Sequence, residues 1–144
     1  MKMTASDIRN YPKFANYVKN DLPKVSTVSS IVFAMNKIGQ INKSTLLSVL
    51  AWGAGPQIKI TPLVGAYGEF SPNISSNEIR INTQLVIDFE AGIDKRVARA
   101  GNAHLVGITL LHELVHWGDD QDGIDRPGEE GSEFERSVYG SVIL

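Results

Sequence analysis

Apolar residues in the first third of the chain recur three or four positions apart, the spacing of a single helix face. This pattern predicts helices over about residues 12–22, 25–38 and 44–52, each followed by a proline or glycine that ends it. Asn42 or Ser44 can cap the third helix, since both side chains accept hydrogen bonds from free backbone N–H groups. The sequence therefore begins with a group of helices.

The apolar period then falls to two, which indicates half-buried strands. Residues 57–61 and 78–82 alternate polar and apolar positions, whereas residues 64–70 form a weaker alternating stretch that two glycines interrupt. A short helix follows the last of these strands. With no internal repeat and no linker composition, the pattern predicts one α+β domain over residues 1–144, with a small antiparallel or mixed sheet.

One later segment is apolar on almost every side. Residues 103–117 carry seven large aliphatic side chains distributed around the helix. A helix of this kind is buried in a protein core. The same segment contains His112, Glu113 and His116, and polar groups in an apolar interior cost free energy unless another group satisfies them. The segment therefore predicts a buried helix with a polar site that needs an explanation.

His112, Glu113 and His116 form the pattern H-E-x-x-H. Positions four apart lie on the same helix face, so both imidazoles can reach one metal ion. Glu113 flanks that face, where it can hydrogen-bond a water without ligating the metal. Zinc is the expected ion, because imidazole and carboxylate are its usual ligands and a catalytic site leaves one position for water.

The third protein ligand should be an acid on a following segment, because no histidine occurs after His116. Half of the sixteen acidic residues fall in one stretch: Asp119, Asp120, Asp122, Asp125, Glu129, Glu130, Glu133 and Glu135. The first three of them lie too close to the end of their own helix to fold back over it. Pro127 and Gly128 make a turn, and residues 129–139 have the pattern of a second helix.

Glu130 is the favoured third ligand, because Gly131 and Ser132 are small and let the second helix approach the first closely. Glu133 is the alternative, either as a ligand or as the hydrogen-bond partner of a ligating histidine. The candidates that stay open behind these two are Glu129 and Asp125.

Composition narrows the functional classes. The chain has no cysteine, which excludes a disulfide framework, a cysteine-ligated zinc site and a cysteine nucleophile. Its net charge of −2 argues against a nucleic-acid partner, and no apolar run approaches the ~20 residues that insertion into a membrane requires. The first ten residues lack the apolar core of a signal peptide. Calcium is not favoured, because Gly118 stands where a calcium loop aligned on Gly123 needs an acid.

Three stretches of the second half carry a resemblance to a known family. They are N-E-I-R-I-N at 77–82, L-L-H-E-L-V-H-W-G-D at 110–119 and E-E-G-S-E-F-E at 129–135. Together they resemble the zincin-like metallopeptidase domains of bacterial polymorphic toxins. The resemblance is specific over about residues 78–140, and residues 1–55 carry no stretch that we can match to a known family.

This resemblance implies a zinc-dependent peptidase that hydrolyses peptide bonds. His112, His116 and a glutamate on the next helix would bind zinc, and Glu113 would act as the general base. The family also implies the C-terminal toxin domain of a longer secreted protein, such as a type VI secretion effector, delivered into a competitor or host cell. Its expected partners are a protein or peptide substrate in that cell and a cognate immunity protein.

The reaction needs a hydrogen-bond donor for its tetrahedral oxyanion, and Tyr139 and His104 are candidates. Zincin-like enzymes also pair an extended substrate with an edge strand. The strand predicted for that role consists of Glu78, Ile79, Arg80, Ile81 and Asn82. Two other hypotheses stay open: a zinc hydrolase that acts on another amide, such as a formyl or cell-wall amide, and a non-catalytic binding module on the same scaffold.

Overall fold

The computed structural model describes residues 1–124 and 127–144, with only the backbone of Arg99. These residues form an α+β fold, as the sequence pattern predicted. Its elements are α1 (Ala5–Asn10), α2 (Pro12–Asn16), α3 (Ser29–Lys37), α4 (Lys43–Leu50), β1 (Gln57–Thr61), β2 (Gly68–Glu69), β3 (Glu78–Asn82), α5 (Thr83–Glu90), β4 (Arg96–Val97), β5 (Ala103–His104), α6 (Leu105–Asp120) and α7 (Glu130–Tyr139).

The N-terminal helices are shorter than the apolar spacing predicts. The first predicted helix is regular only to Asn16 and continues as a π-helical turn, Tyr17–Asp21. A 3-10 helix, Leu22–Thr27, follows, and α3 begins only after Val28, which has extended backbone angles. The break has a local cause: a proline inside an α-helix removes a backbone donor, and Pro23 lies in the first turn of the 3-10 helix.

The larger sheet is mixed and has the order β1-β3-β2. Strand β3 lies in its centre, parallel to β1 and antiparallel to β2. The prediction that Glu78–Asn82 is an edge strand open to substrate is therefore wrong, because its backbone groups are engaged on both sides. Among the described residues β2 pairs only with β3, so β2 is an edge of the sheet, although the weak alternation of residues 64–70 yields only Gly68–Glu69 as a strand.

Helix α6 is the centre of the molecule. Fourteen of its sixteen residues are buried, as its all-round apolar pattern predicted. It contacts β2 and β3 on one side and α5 and α7 on others. In the part of the chain that the structure describes, no helix is both long and apolar enough to cross a membrane. The polar residues of α6 are thus held in the core of the protein, between the sheet and α7.

Helix α7 begins with a side-chain cap. Glu129 has extended backbone angles, and its Oε2 accepts a hydrogen bond of 2.6 Å from the backbone N–H of Ser132. This cap satisfies a backbone donor that a helix N-terminus leaves free. The helix ends at Gly140, whose φ of 78° lies in the left-handed region that glycine adopts readily. Capping therefore fixes where α7 starts, and with it which acidic side chain faces α6.

Candidate metal centre

His112 and His116 lie one turn apart on the face of α6 that is turned towards α7. Their ring centroids are 5.2 Å apart. The side chain of His112 is 11% exposed and that of His116 is 23% exposed. Both line a cavity of about 540 Å³, together with Glu113. The H-E-x-x-H pattern therefore places its three side chains in one cavity.

Glu129 completes a cluster with the two histidines. Its Oε1 lies 2.7 Å from His116 Nε2 and 3.4 Å from His112 Nε2. One ligand atom from each of these three residues lies within 4.8 Å of the other two. Among the described residues, this is the group of histidine and acidic side chains that can hold a metal ion.

A second pair of carboxylates engages the opposite ring nitrogens. Glu135 Oε1 lies 2.7 Å from His112 Nδ1, and Glu130 Oε2 lies 3.1 Å from His116 Nδ1. Glu135 forms a hydrogen bond with His112 Nδ1, which places the lone pair of that imidazole at Nε2, and the charge of Glu130 beside His116 Nδ1 favours the same tautomer there. The two Nε2 atoms are the ones that Glu129 approaches, so these outer acids fix the tautomers that a metal ion needs.

Glu135 is itself held firmly. The residue is completely buried, and its Oε2 accepts hydrogen bonds from the backbone N–H groups of Ile143 and Leu144, the latter at 3.0 Å. Both oxygens of this carboxylate are therefore engaged, one by a histidine and the other by the C-terminal segment. Sequence reasoning included Glu135 among the acids and assigned it no role. No helix-face pattern marked it, because positions five apart do not share a helix face with Glu130.

The acid that the structure places nearest to both Nε2 atoms is Glu129, which is not the residue that the sequence favoured. Glu130, favoured from the sequence, contacts the Nδ1 side of His116 instead of the Nε2 side. The reason is the start of α7: Glu129 is the capping residue, and its side chain projects across the gap to α6. Glu133, the alternative, lies on the first turn with Oε1 close to Gly128.

The remaining acidic candidates are dispersed. Asp119 and Asp120 line the cavity at the end of α6, and Asp119 accepts a hydrogen bond from the Gln40 side chain. Asp122 accepts a hydrogen bond from the backbone of Ile124. Asp125 lies outside the described residues. None of Asp119, Asp120 and Asp122 belongs to the cluster with the two histidines.

Gly131 allows α7 to lie directly against His112, as the sequence led us to expect. A Cβ at this position would lie 2.2 Å from His112 Nε2, far inside van der Waals contact. The helix can therefore bring Glu129 and Glu130 to the histidines only because residue 131 has no side chain. This close approach is a geometric requirement of the site.

We expect Gly131→Ala to lower the affinity for a metal ion by about tenfold or more, since it displaces His112. Alanine has the higher helix propensity, by about 1 kcal/mol, so the helix alone would be stabilised. Ser137→Ala, at an exposed position of the same helix, is the matched control. Competition with a fluorescent zinc chelator measures the affinity. Equal affinity of the two variants would show that His112 has room to move without losing the ion.

Glu113 faces the edge of the sheet. The residue is 6% exposed, and a Cβ on Gly68 would lie 2.9 Å from its Oε1, so the β2 backbone passes directly over it. Burial, followed by the nearby negative charge of Glu129, raises the pKa of Glu113 to about 8. Burial thus favours the protonated form of this carboxyl in the metal-free protein, and a cation held beside it favours the ionised form.

The other predicted site residues lie elsewhere. Tyr139 packs edge-on against Phe134 at 6.4 Å between ring centroids, and burial raises its pKa to about 12. His104 Nδ1 lies 2.8 Å from Asp94 Oδ2, in a separate cavity. In strand β3, Arg80 pairs with Glu69 at 3.1 Å. The structure does not bring Tyr139 or His104 into the wall of the metal-centre cavity.

One of three comparisons with known proteins identifies a family for this chain. The search of curated proteins and the search of solved structures each gave no match. The family model of metallopeptidase toxin 3 matches residues 7–140 of the 144. This match includes the α6 histidines, Glu113 and the acids of α7. The chain therefore belongs to the metallopeptidase toxin 3 family.

Proposed function

We propose that the chain is a zinc-dependent peptidase and the toxin domain of a secreted effector. The observation that carries this proposal is the convergence of His112, His116 and Glu129 on one point, with Glu113 beside it. Membership of a metallopeptidase toxin family supports the same reaction class.

The donor atoms suit zinc. Two neutral imidazole nitrogens and one carboxylate oxygen are a common ligand set of catalytic zinc, which keeps a further position for water. The carboxylates on both Nδ1 atoms support that choice, because they orient the rings and increase their basicity. When bound, zinc supplies a Lewis acid that polarises a carbonyl and lowers the pKa of water towards ~7.

The side chains of the site have separate roles in hydrolysis. Glu113, once ionised, accepts a proton from the attacking water and delivers it to the amine that leaves. The free edge of β2 passes over Glu113 and can pair with the backbone of an extended polypeptide. Glu130 and Glu135 keep the histidine rings oriented throughout the cycle.

The biological setting follows from the family. A metallopeptidase toxin acts on a protein in a target cell, so we propose delivery as the C-terminal domain of a longer secreted protein, by a route such as type VI secretion. A cognate immunity protein in the producing cell would accompany such an activity. Residues 1–144 form the peptidase domain in this proposal.

Removing either histidine tests the metal centre. We expect about one zinc per chain in the wild type and none in His112→Ala or His116→Ala, because two ligands cannot hold the ion. His104→Ala is the matched control, since the remaining histidine lies in another cavity. Elemental analysis of the purified proteins, with circular dichroism to confirm folding, gives the result.

Activity assays on the same proteins complete the test. Zinc-loaded wild type and His104→Ala should hydrolyse unfolded protein and inhibit growth when expressed, and the other two variants should do neither. Full zinc in both α6 variants would end the proposal. Zinc binding with growth inhibition and no peptide hydrolysis would instead indicate another amide as the substrate.

A further inference from the structure

Residues 141–144, which follow α7, lie against that helix, and we call them the return segment. The chain turns at Gly140, whose φ is 78°, and residues 143 and 144 come back to Glu135, one turn before the end of α7. The return segment is partly buried, and Ile143 and Leu144 pack against the hydrophobic core. These apolar contacts hold the segment beside the helix.

Glu135 needs hydrogen-bond donors from outside its own helix. The residue is completely buried, and its Oε1 lies 2.7 Å from His112 Nδ1. Burial removes the water that would satisfy the other carboxylate oxygen, so Oε2 needs donors from the protein. The backbone N–H groups in the body of a helix are already bonded within the helix. The donors for Oε2 must therefore come from another segment.

The return segment supplies these donors. Oε2 of Glu135 accepts hydrogen bonds from the backbone N–H groups of Ile143 and Leu144, the latter at 3.0 Å. Hydrogen bonds to a charged acceptor are strong, and two of them on one oxygen restrict rotation of the carboxylate. Oε1 is thereby kept towards His112. A continuous set of hydrogen bonds thus joins the return segment, through Glu135, to the imidazole of His112.

The ring of His112 is confined on its other sides as well. A Cβ on Gly131 would lie 2.2 Å from His112 Nε2, so the α7 backbone passes close to the ring. Leu144 lines a cavity of about 330 Å³ together with His112, Glu113 and Glu129. The return segment therefore borders the cleft and also holds the acid that orients one of its histidines.

His116 is held in a different way. Its Nδ1 lies 3.1 Å from Glu130 Oε2. The other oxygen of Glu130 has no hydrogen-bond partner among the described residues, so the return segment does not hold this acid as it holds Glu135. An effect of the return segment should accordingly reach His112 and not His116, which gives the experiments below an internal control.

We propose that the return segment is a positioning element of the metal centre, which acts on His112 through Glu135 and raises the affinity for the metal ion. The inference rests on the proposed function, in which His112 is a ligand. Ile143 and Leu144 act through backbone N–H groups, which every residue except proline has. No side-chain motif in the sequence therefore indicates this role.

Zinc affinity in combined variants tests the inference, with competition by a fluorescent chelator as the measurement. We expect deletion of residues 143 and 144 to lower the affinity about tenfold or more, the range for groups that orient a ligating histidine. In a Glu135→Gln background the same deletion should have little further effect, because the carboxylate through which the segment acts is gone. In a Glu130→Gln background it should have its full effect, because Glu130 lies on His116.

A pair of substitutions at one position replaces the deletion if circular dichroism shows that the shortened chain unfolds. Leu144→Pro removes one N–H donor and keeps an apolar side chain. Leu144→Ala keeps the donor and removes most of the side chain. We expect Leu144→Pro to bind zinc at least about threefold more weakly than Leu144→Ala, the size of one lost hydrogen bond.

The amide NMR signals of Ile143 and Leu144 report the same connection without any catalysis. In the wild type, zinc should shift both signals, because an ion on His112 Nε2 strengthens the hydrogen bond from Nδ1 to Glu135 and so changes the acceptor of both amides. In Glu135→Gln, zinc should leave both signals nearly unchanged. A purely structural contact of the return segment would not link these amides to the ion.

The outcomes separate this inference from the proposed function. Equal zinc affinity of the deletion variant and the wild type would overturn the positioning role and leave the metal centre intact. The same conclusion would follow if the losses from the deletion and from Glu135→Gln simply added, if Leu144→Pro and Leu144→Ala bound zinc equally, or if the amide shifts persisted in Glu135→Gln. A wild type that binds no zinc would instead count against the proposed function itself.

Discussion

Glu113→Gln should abolish peptide hydrolysis and growth inhibition while the purified protein keeps its zinc. The glutamine has nearly the same shape as the glutamate and cannot accept the proton of the attacking water. Loss of a positioned general base costs about 10²–10⁴ in rate. The carboxyl lies beside the His112, His116 and Glu129 cluster and is not part of it, so the metal content should not change.

The readouts for this variant are kcat/KM on an unfolded protein substrate and zinc per chain. Glu90→Gln is the matched control, because Glu90 lies on α5 and accepts a hydrogen bond from the Phe14 backbone that glutamine can also accept. Undiminished growth inhibition by Glu113→Gln would favour a binding module on this scaffold. Undiminished hydrolysis by Glu113→Gln would require another base.

The presence and burial of helix α6 could be predicted from the sequence because their signals are local, whereas its bounds, Leu105–Asp120, differ by two or three residues from the predicted 103–117. A helix fixes the relation of positions four apart, so His112 and His116 must share a face wherever the helix lies. The apolar residues around them determine that the helix is buried. Both statements depend only on residues within one segment, and the structure agrees with both.

The position of β3 could not be predicted in the same way. Its alternating pattern identifies a strand and one buried face, and it carries no information on which neighbours pair with it. The short strand Gly68–Glu69 pairs with one side of β3, although two glycines make its own pattern weak. Strand order depends on contacts between distant segments, so the edge available to a substrate became visible only in three dimensions.

The third metal ligand lies between these two cases, because its type and its region could be predicted and its exact position could not. The sequence predicts an acid at the start of the second helix, and the structure places four acids there or nearby. Which one faces His116 Nε2 depends on where the helix begins, and helix boundaries shift by one or two residues with capping. Glutamate is not among the residues that usually cap a helix N-terminus, so no local pattern indicated that Glu129 would be the cap.

Substitution of the four α7 acids should therefore separate their roles. We expect Glu129→Gln to lower zinc affinity more than any other single change among them, because it removes the carboxylate nearest both Nε2 atoms. Glu130→Gln and Glu135→Gln should lower zinc affinity by about 10–100-fold, the range for partners that orient a ligating histidine. Glu133→Gln, on the same first turn, is the matched control and should change the affinity least.

Glutamine at position 129 makes this comparison specific to the metal. Its amide oxygen can still accept the hydrogen bond from Ser132, so the start of α7 is preserved and a loss of affinity cannot be attributed to fraying of the helix. Affinities come from chelator competition at one pH, and thermal unfolding of the metal-free variants checks that their folds are equally stable. If Glu130→Gln lost the zinc ion and Glu129→Gln kept it, then Glu130 would be the third ligand, as the sequence alone suggests. Helix α7 would then have to turn when zinc binds, so that Glu130 reaches His116 Nε2.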